Sequence, residues 1–179
     1  FINEIKYKIG HWVLNKELFG SYREKHLTNL KQAKSVGILY YLESEAQYNI
    51  ILNFVKQLQV EHKIVKALGM VPDKIMPHYC YPKIFFDYIT VNNLNWYYKP
   101  EGKSVADFIN TEYDILIDLT TENSYTIEYI AALSKAKLKI GKADKLRKKY
   151  YDIMIDIDAN KDLKYLIEQM IYYLSMLKR

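Results

Sequence analysis

Four sets of residues in this 179-residue chain have types and spacings with chemical potential. The first follows an apolar run that ends in a carboxylate: Asp118, then Thr120, Thr121, Glu122, Asn123 and Ser124. Tyr41, Glu43 and Ser44 follow an earlier apolar run in the same way. In open α/β sheets, ligands bind beyond the carboxyl ends of the strands, where strand order reverses. Two helix N-termini would face that crevice and offer free N–H donors to a small anion, sugar- or nucleotide-like. The bland explanation is also complete: Ser44 and Ser124 read as helix caps, and Asp118 as an acceptor for turn N–H groups.

The second set is basic. Lys137, Lys139, Lys142, Lys145, Arg147, Lys148 and Lys149 follow Lys135, with Asp144 the only acid among them. Clustered cations neutralise phosphates and release counterions, the basis of nonspecific nucleic-acid affinity. Lys137 and Lys139 share one face of a short strand, and the loop after it would extend the patch. The same lysines would also guard an edge strand against aggregation. The third set is aromatic: Trp96, Tyr97 and Tyr98, with Tyr79, Tyr81 and Tyr88 nearby. Such rings anchor protein interfaces, or cover a sheet edge.

The fourth set is His78 and Cys80. They lie in a proline-rich loop with no third residue in sequence to orient the histidine, so they read as ordinary loop residues and not as a nucleophile pair. One cysteine and four scattered histidines make no zinc site. No catalytic residue and no metal ligand is assigned. Tyr41-Leu42-Glu43-Ser44 is bulky where a dinucleotide fold needs glycine, and no G-x-x-x-x-G-K-[ST] or G-x-S-x-G occurs. No NAD, ATP or other cofactor is expected.

Stepping along the chain, residues 2–18 have helical spacing, with Ile2, Ile5, Ile9, Val13 and Trp12 on one face. Gly10 weakens this helix by about 1 kcal/mol relative to alanine. Residues 1–30 are expected to form a helical arm over a core of residues 36–179. Short apolar runs predict strands at 36–41, 64–69, 84–89, 113–119, 137–141 and 152–157, with 84–89 at an edge and 137–141 alternating in character. Helices fill the gaps. Ser44 with Gln47 forms a capping box, Ser104 with Asp107 offers another, and Asp158 or Asn160 would cap the last helix. Alternating strands and helices predict one three-layer, Rossmann-like α/β domain with a mostly parallel sheet of five or six strands. The 36–41 and 113–119 strands are placed together at its centre.

Composition sets the bounds. Hydrophobic residues are 50% of the chain and charged residues 26%, a globular balance. The net charge of +5 mildly favours a polyanionic partner. Lone Cys80 forms no internal disulfide, which suits a reducing compartment. No apolar run reaches the ~18–20 residues of a membrane span. A cytoplasmic location is expected.

The run Phe108-Ile109-Asn110-Thr111-Glu112-Tyr113-Asp114-Ile115-Leu116-Ile117-Asp118-Leu119 leads into Tyr129-Ile130-Ala131-Ala132-Leu133-Ser134-Lys135-Ala136-Lys137. With Asn95-Trp96-Tyr97 and Leu174-Ser175-Met176, it resembles an uncharacterised family of small Bacteroidota proteins, over nearly the whole chain. That resemblance implies no activity and no site residues. Residues 114–141 are also similar to the amino-terminal domain of heptosyltransferase-like glycosyltransferases. Those enzymes need a second, nucleotide-sugar-binding domain, so this likeness implies architecture alone. The expected function is non-catalytic binding to RNA, the ribosome or a protein partner. The alternative is a small enzyme or sensor that binds an anionic molecule in the Asp118–Ser124 crevice.

Overall fold

The computed structural model describes residues 2–81, 83–145, 148–158 and 160–177. The elements, in order, are α1 (Ile2–Phe19), β1 (Ser35–Tyr41), α2 (Glu45–Val60), β2 (Ile64–Met70), β3 (Phe86–Ile89), α3 (Lys103–Asn110), β4 (Ile115–Asp118), α4 (Tyr125–Leu133), β5 (Leu138–Lys142), β6 (Ile153–Ile155) and α5 (Leu163–Met176). The six strands form one parallel sheet in the order β3-β2-β1-β4-β5-β6. This is the order of doubly wound dinucleotide folds, with its reversal between β1 and β4. Val36 lies opposite Ile115 and Leu39 opposite Asp118, so the expected central pair is present.

Alternation along the strands builds two cores. Val36, Ile38 and Tyr40 of β1, with Ile115 and Ile117 of β4, face α2 and α5. Leu39 and Leu116 face α1, α3 and α4. β3 is an edge strand as expected, although it starts only at Phe86, leaving Ile84 in solvent. β5 departs from the expected alternation: Leu138–Gly141 are buried throughout. The reason is position. β6 takes the edge, so β5 is covered by a layer on each face.

Capping follows the sequence at Ser44 and Ser124 and departs from it at α3 and α5. The Ser44 hydroxyl accepts from Gln47 N at 3.2 Å, and the Gln47 side chain accepts from Glu43 N at 2.9 Å. At α3 the cap is Gly102, whose φ of 120° an L side chain rarely adopts, rather than Ser104. Asp107 instead pairs with Lys103 at 2.5 Å. At α5 the cap is Asp162, which accepts from Tyr165 N at 2.9 Å. Asp158 is held in a preceding turn by the Lys161 N–H.

α1 turns the opposite way from expectation. Its buried positions are Gly10 and Leu14, while Ile2, Ile5 and Trp12 lie in solvent. Gly10 decides this. A Cβ there would sit 2.7 Å from the Tyr125 ring of α4, and the Tyr125 hydroxyl donates to the Gly10 carbonyl at 2.6 Å. The missing side chain lets helix backbone and ring touch, which offsets its propensity cost. Further polar contacts fasten the same side: Tyr98 to Asn3 at 3.2 Å, Lys149 to Asn15 at 3.2 Å, and Lys99 to Glu17 at 2.7 Å.

Candidate functional site

The β1–β4 register does bring the two halves of the predicted crevice together, and they bond to each other. The Thr121 hydroxyl donates to Glu43 at 2.6 Å across the gap. Asp118 is 1% exposed. Its carboxylate accepts from Thr120 N at 2.9 Å and from the Tyr151 hydroxyl, which arrives from the β5–β6 connection. Tyr151 lies flat on Gly141, where a Cβ would come within 2.7 Å of its ring. Ser44 and Ser124 both cap their helices, Ser124 accepting from Ile127 N at 3.4 Å. Glu122 is exposed and the Thr120 hydroxyl is buried without a partner. Burial raises the Tyr41 hydroxyl pKa, and Asp73, Glu43 and Glu122 add to it. Three carboxylates thus give the crevice rim a negative potential, the wrong sign for an anion.

The basic set divides. Lys137 is ion-paired with Asp114 at 3.0 Å. Lys139 is 1% exposed, and its Nζ donates to Ala131 O at 2.7 Å and Ala132 O at 2.9 Å. Those are among the last carbonyls of α4, which lack partners within the helix. Lys139 therefore works as a cap delivered from a neighbouring strand, not as surface charge. Burial pushes its ammonium down to about 7, with Arg23 and Lys25 adding and Asp152 opposing. Lys142 is half-buried, whereas Lys145, Lys148 and Lys149 are exposed. Arg147 lies outside the described residues.

Residues 21–26 complete this side. The His26 N–H donates to Lys137 O at 3.1 Å, and Arg23 donates to Ala136 O and Lys137 O at 3.1 and 3.2 Å. This lays the segment along the start of β5. A pocket of about 220 Å³ results, lined by Ser21, Arg23, Lys25, Ser134, Lys139 and Lys149 among others. Asp152 is the carboxylate bonded there, 2.6 Å from Arg23 and 3.3 Å from Lys25. Burial alone would raise its pKa; the Arg23 guanidinium, the Lys139 backbone N–H and Lys25 outweigh that and lower it. Arg23, Lys25 and Lys149 thus meet around one pocket, with the buried Lys139 amine turned away to the end of α4. Sequence reasoning missed Arg23 and Lys25, because residues 19–29 are polar without periodicity.

Of the aromatic set, Tyr81 and Trp96 are exposed, while Tyr97 and Tyr98 are half-buried. Tyr98 holds a φ of 68°, its carbonyl accepts from Thr126 at 3.1 Å, and its hydroxyl reaches Asn3. It is a strut between α1 and α4. A wide pocket of about 690 Å³ lies beside it, between the end of α1 and α3. Two of the charges there are paired with each other: Glu17 takes both Lys99 and the Tyr129 hydroxyl. A third pocket holds buried Glu128 with His11 Nε2 at 3.5 Å; burial, then Lys149, lowers the His11 pKa.

Cys80 is buried, and burial raises its thiol to about 11 despite nearby Lys83, so it stays protonated. Among the described residues, no group of three or more His, Cys, Asp or Glu is placed to hold a metal ion. No described helix is long and apolar enough to cross a membrane.

Strand order and two-sided helical cover make this a Rossmann-like α/β protein, with a cation-lined pocket away from the usual ligand crevice. The chain belongs to a family of unknown function (DUF6913), whose model matches residues 6–177. No curated protein and no solved structure matches it.

Proposed function

We propose that this chain is a non-catalytic binding protein whose partner is RNA, free or within the ribosome. Its working surface is the basic side formed by residues 21–26, 142–145 and 148–150. The observation that carries this reading is the convergence of Arg23, Lys25 and Lys149 on one pocket beside Asp152. Lys145 and Lys148 lie exposed in the adjoining segment. A backbone phosphate fits the charge, and neighbouring phosphates along a strand would meet the outer lysines. The proposed place of action is the cytoplasm, in keeping with a lone cysteine. The glycosyltransferase likeness is taken as shared architecture.

The test is fluorescence anisotropy with single-stranded RNA across a salt series. Wild-type affinity should fall steeply with salt. The variant Lys145→Ala/Lys148→Ala/Lys149→Ala should bind at least about tenfold more weakly at low salt, with a salt slope smaller by roughly two. These side chains are exposed, so folding is retained. Undiminished binding by the triple variant would remove this surface as the cause.

A further inference from the structure

α1 has two apolar faces, and the fold uses one. At about 100° per residue, Gly10, Leu14 and Leu18 share one side of the helix. Ile2, Ile5, Ile9, Trp12 and Phe19 fall on the opposite side, in a stripe about 25 Å long. Phe19 is 97% exposed, Ile2 69% and Trp12 65%. The helix cannot roll to bury them, because Tyr125 is bonded to the Gly10 carbonyl and Lys99 to Glu17.

Charge around the stripe has one sign. Lys8 borders it on one side and Lys16 lies within it, its Nζ 5.7 Å from the Trp12 ring centre, while Lys6 on the other side turns its Nζ toward the Tyr98 ring at 5.5 Å. Of the acids on α1, Glu17 points inward to Lys99 and Tyr129, and Glu4 projects beyond Lys8, away from the stripe. A surface helix with Trp and Phe on its apolar face and lysines along its flanks is built for the boundary between headgroups and acyl chains.

We propose that this face of α1 docks on an anionic lipid bilayer surface, with Trp12 and Phe19 in the interface and Lys8 and Lys16 on lipid phosphates. A second copy of α1 is the poorer occupant, because pairing would bury the Lys16 charge inside an apolar seam. On a bilayer the Lys16 stem lies along the apolar layer while its ammonium stays at phosphate level. This surface meets the proposed RNA contact at Lys149, which bonds Asn15 of α1 and shares a pocket with Lys8 and Trp12, but it uses neither Lys145 nor Lys148.

The experiment is flotation of the chain with vesicles of phosphatidylcholine alone, or mixed with phosphatidylglycerol. Trp12 and Trp96 are the only tryptophans, so a Trp96→Phe variant leaves Trp12 as sole reporter. Expected are flotation with the anionic vesicles only and a blue shift of Trp12 emission. A Trp12→Ser/Phe19→Ser variant should lose at least about tenfold in partitioning, while a Lys145→Ala/Lys148→Ala variant keeps it. The proposal is overturned by no flotation with any vesicle, or by flotation that the double serine variant retains. Dimerisation that needs Trp12 and Phe19, without vesicle binding, would assign the stripe to a second copy instead.

Discussion

The stability of this chain is expected to rise from pH 7 to about 9 relative to that of a Lys139→Met variant. In the folded state the buried Lys139 amine titrates at about 7, against 10.5 for an unperturbed lysine. Between those values the unfolded chain holds a proton that the folded chain does not. Unfolding therefore takes up a proton, and raising the pH disfavours it. The gain approaches 1.4 kcal/mol per pH unit, about 2–3 kcal/mol over the window. Methionine keeps most of the volume but neither titrates nor donates to Ala131 and Ala132, so its curve lacks this slope. The window closes below pH 10, because buried hydroxyls such as Tyr113, raised to about 12, then act in the opposite direction. Urea unfolding at matched ionic strength reads the difference. Parallel curves would mean that the ammonium stays charged against the helix-end carbonyls.

Tyr151→Phe should cost about 2 kcal/mol, equivalent to a Tm lower by about 4–8 °C. The ring remains on Gly141, so the loss isolates the hydroxyl that donates to the buried Asp118 carboxylate. A bond to a charged, buried acceptor is among the stronger kinds. Thr121→Val removes the other link across the crevice, but the Glu43 it leaves is exposed. That change should stay within about 0.5 kcal/mol. Thermal unfolding of the two variants compares them directly. A neutral Tyr151→Phe would mean that Asp118 is not held by the fold and is free to serve a ligand.

The scaffold was largely legible because strand burial and helix capping are local. β1 and β4 announced themselves as short apolar runs ending in polar turns, and Ser44 with Gln47 marked a helix start. What failed was whatever depended on a distant neighbour. The apolar stripe of α1 was expected to face inward, yet Tyr125 selected Gly10, the very residue that weakens the helix. Lys139 looked like surface charge because a strand that reads as alternating does not show that both its faces are covered, nor that the side chain turns back onto the end of α4 seven or eight residues earlier. Asp118 gave no hint of Tyr151, 33 residues on. Arg23 and Lys25 reach the pocket from a segment with no pattern to place it.

The central claim is that the basic side, and not the carboxyl-end crevice, meets the partner. Backbone amide chemical-shift mapping during titration with single-stranded RNA tests it residue by residue. The account predicts perturbations concentrated in residues 21–26, 142–145 and 148–150, with little change at Tyr41, Glu43, Ser44 and Asp118–Ser124. Perturbations centred on that crevice, with residues 21–26 silent, would contradict it.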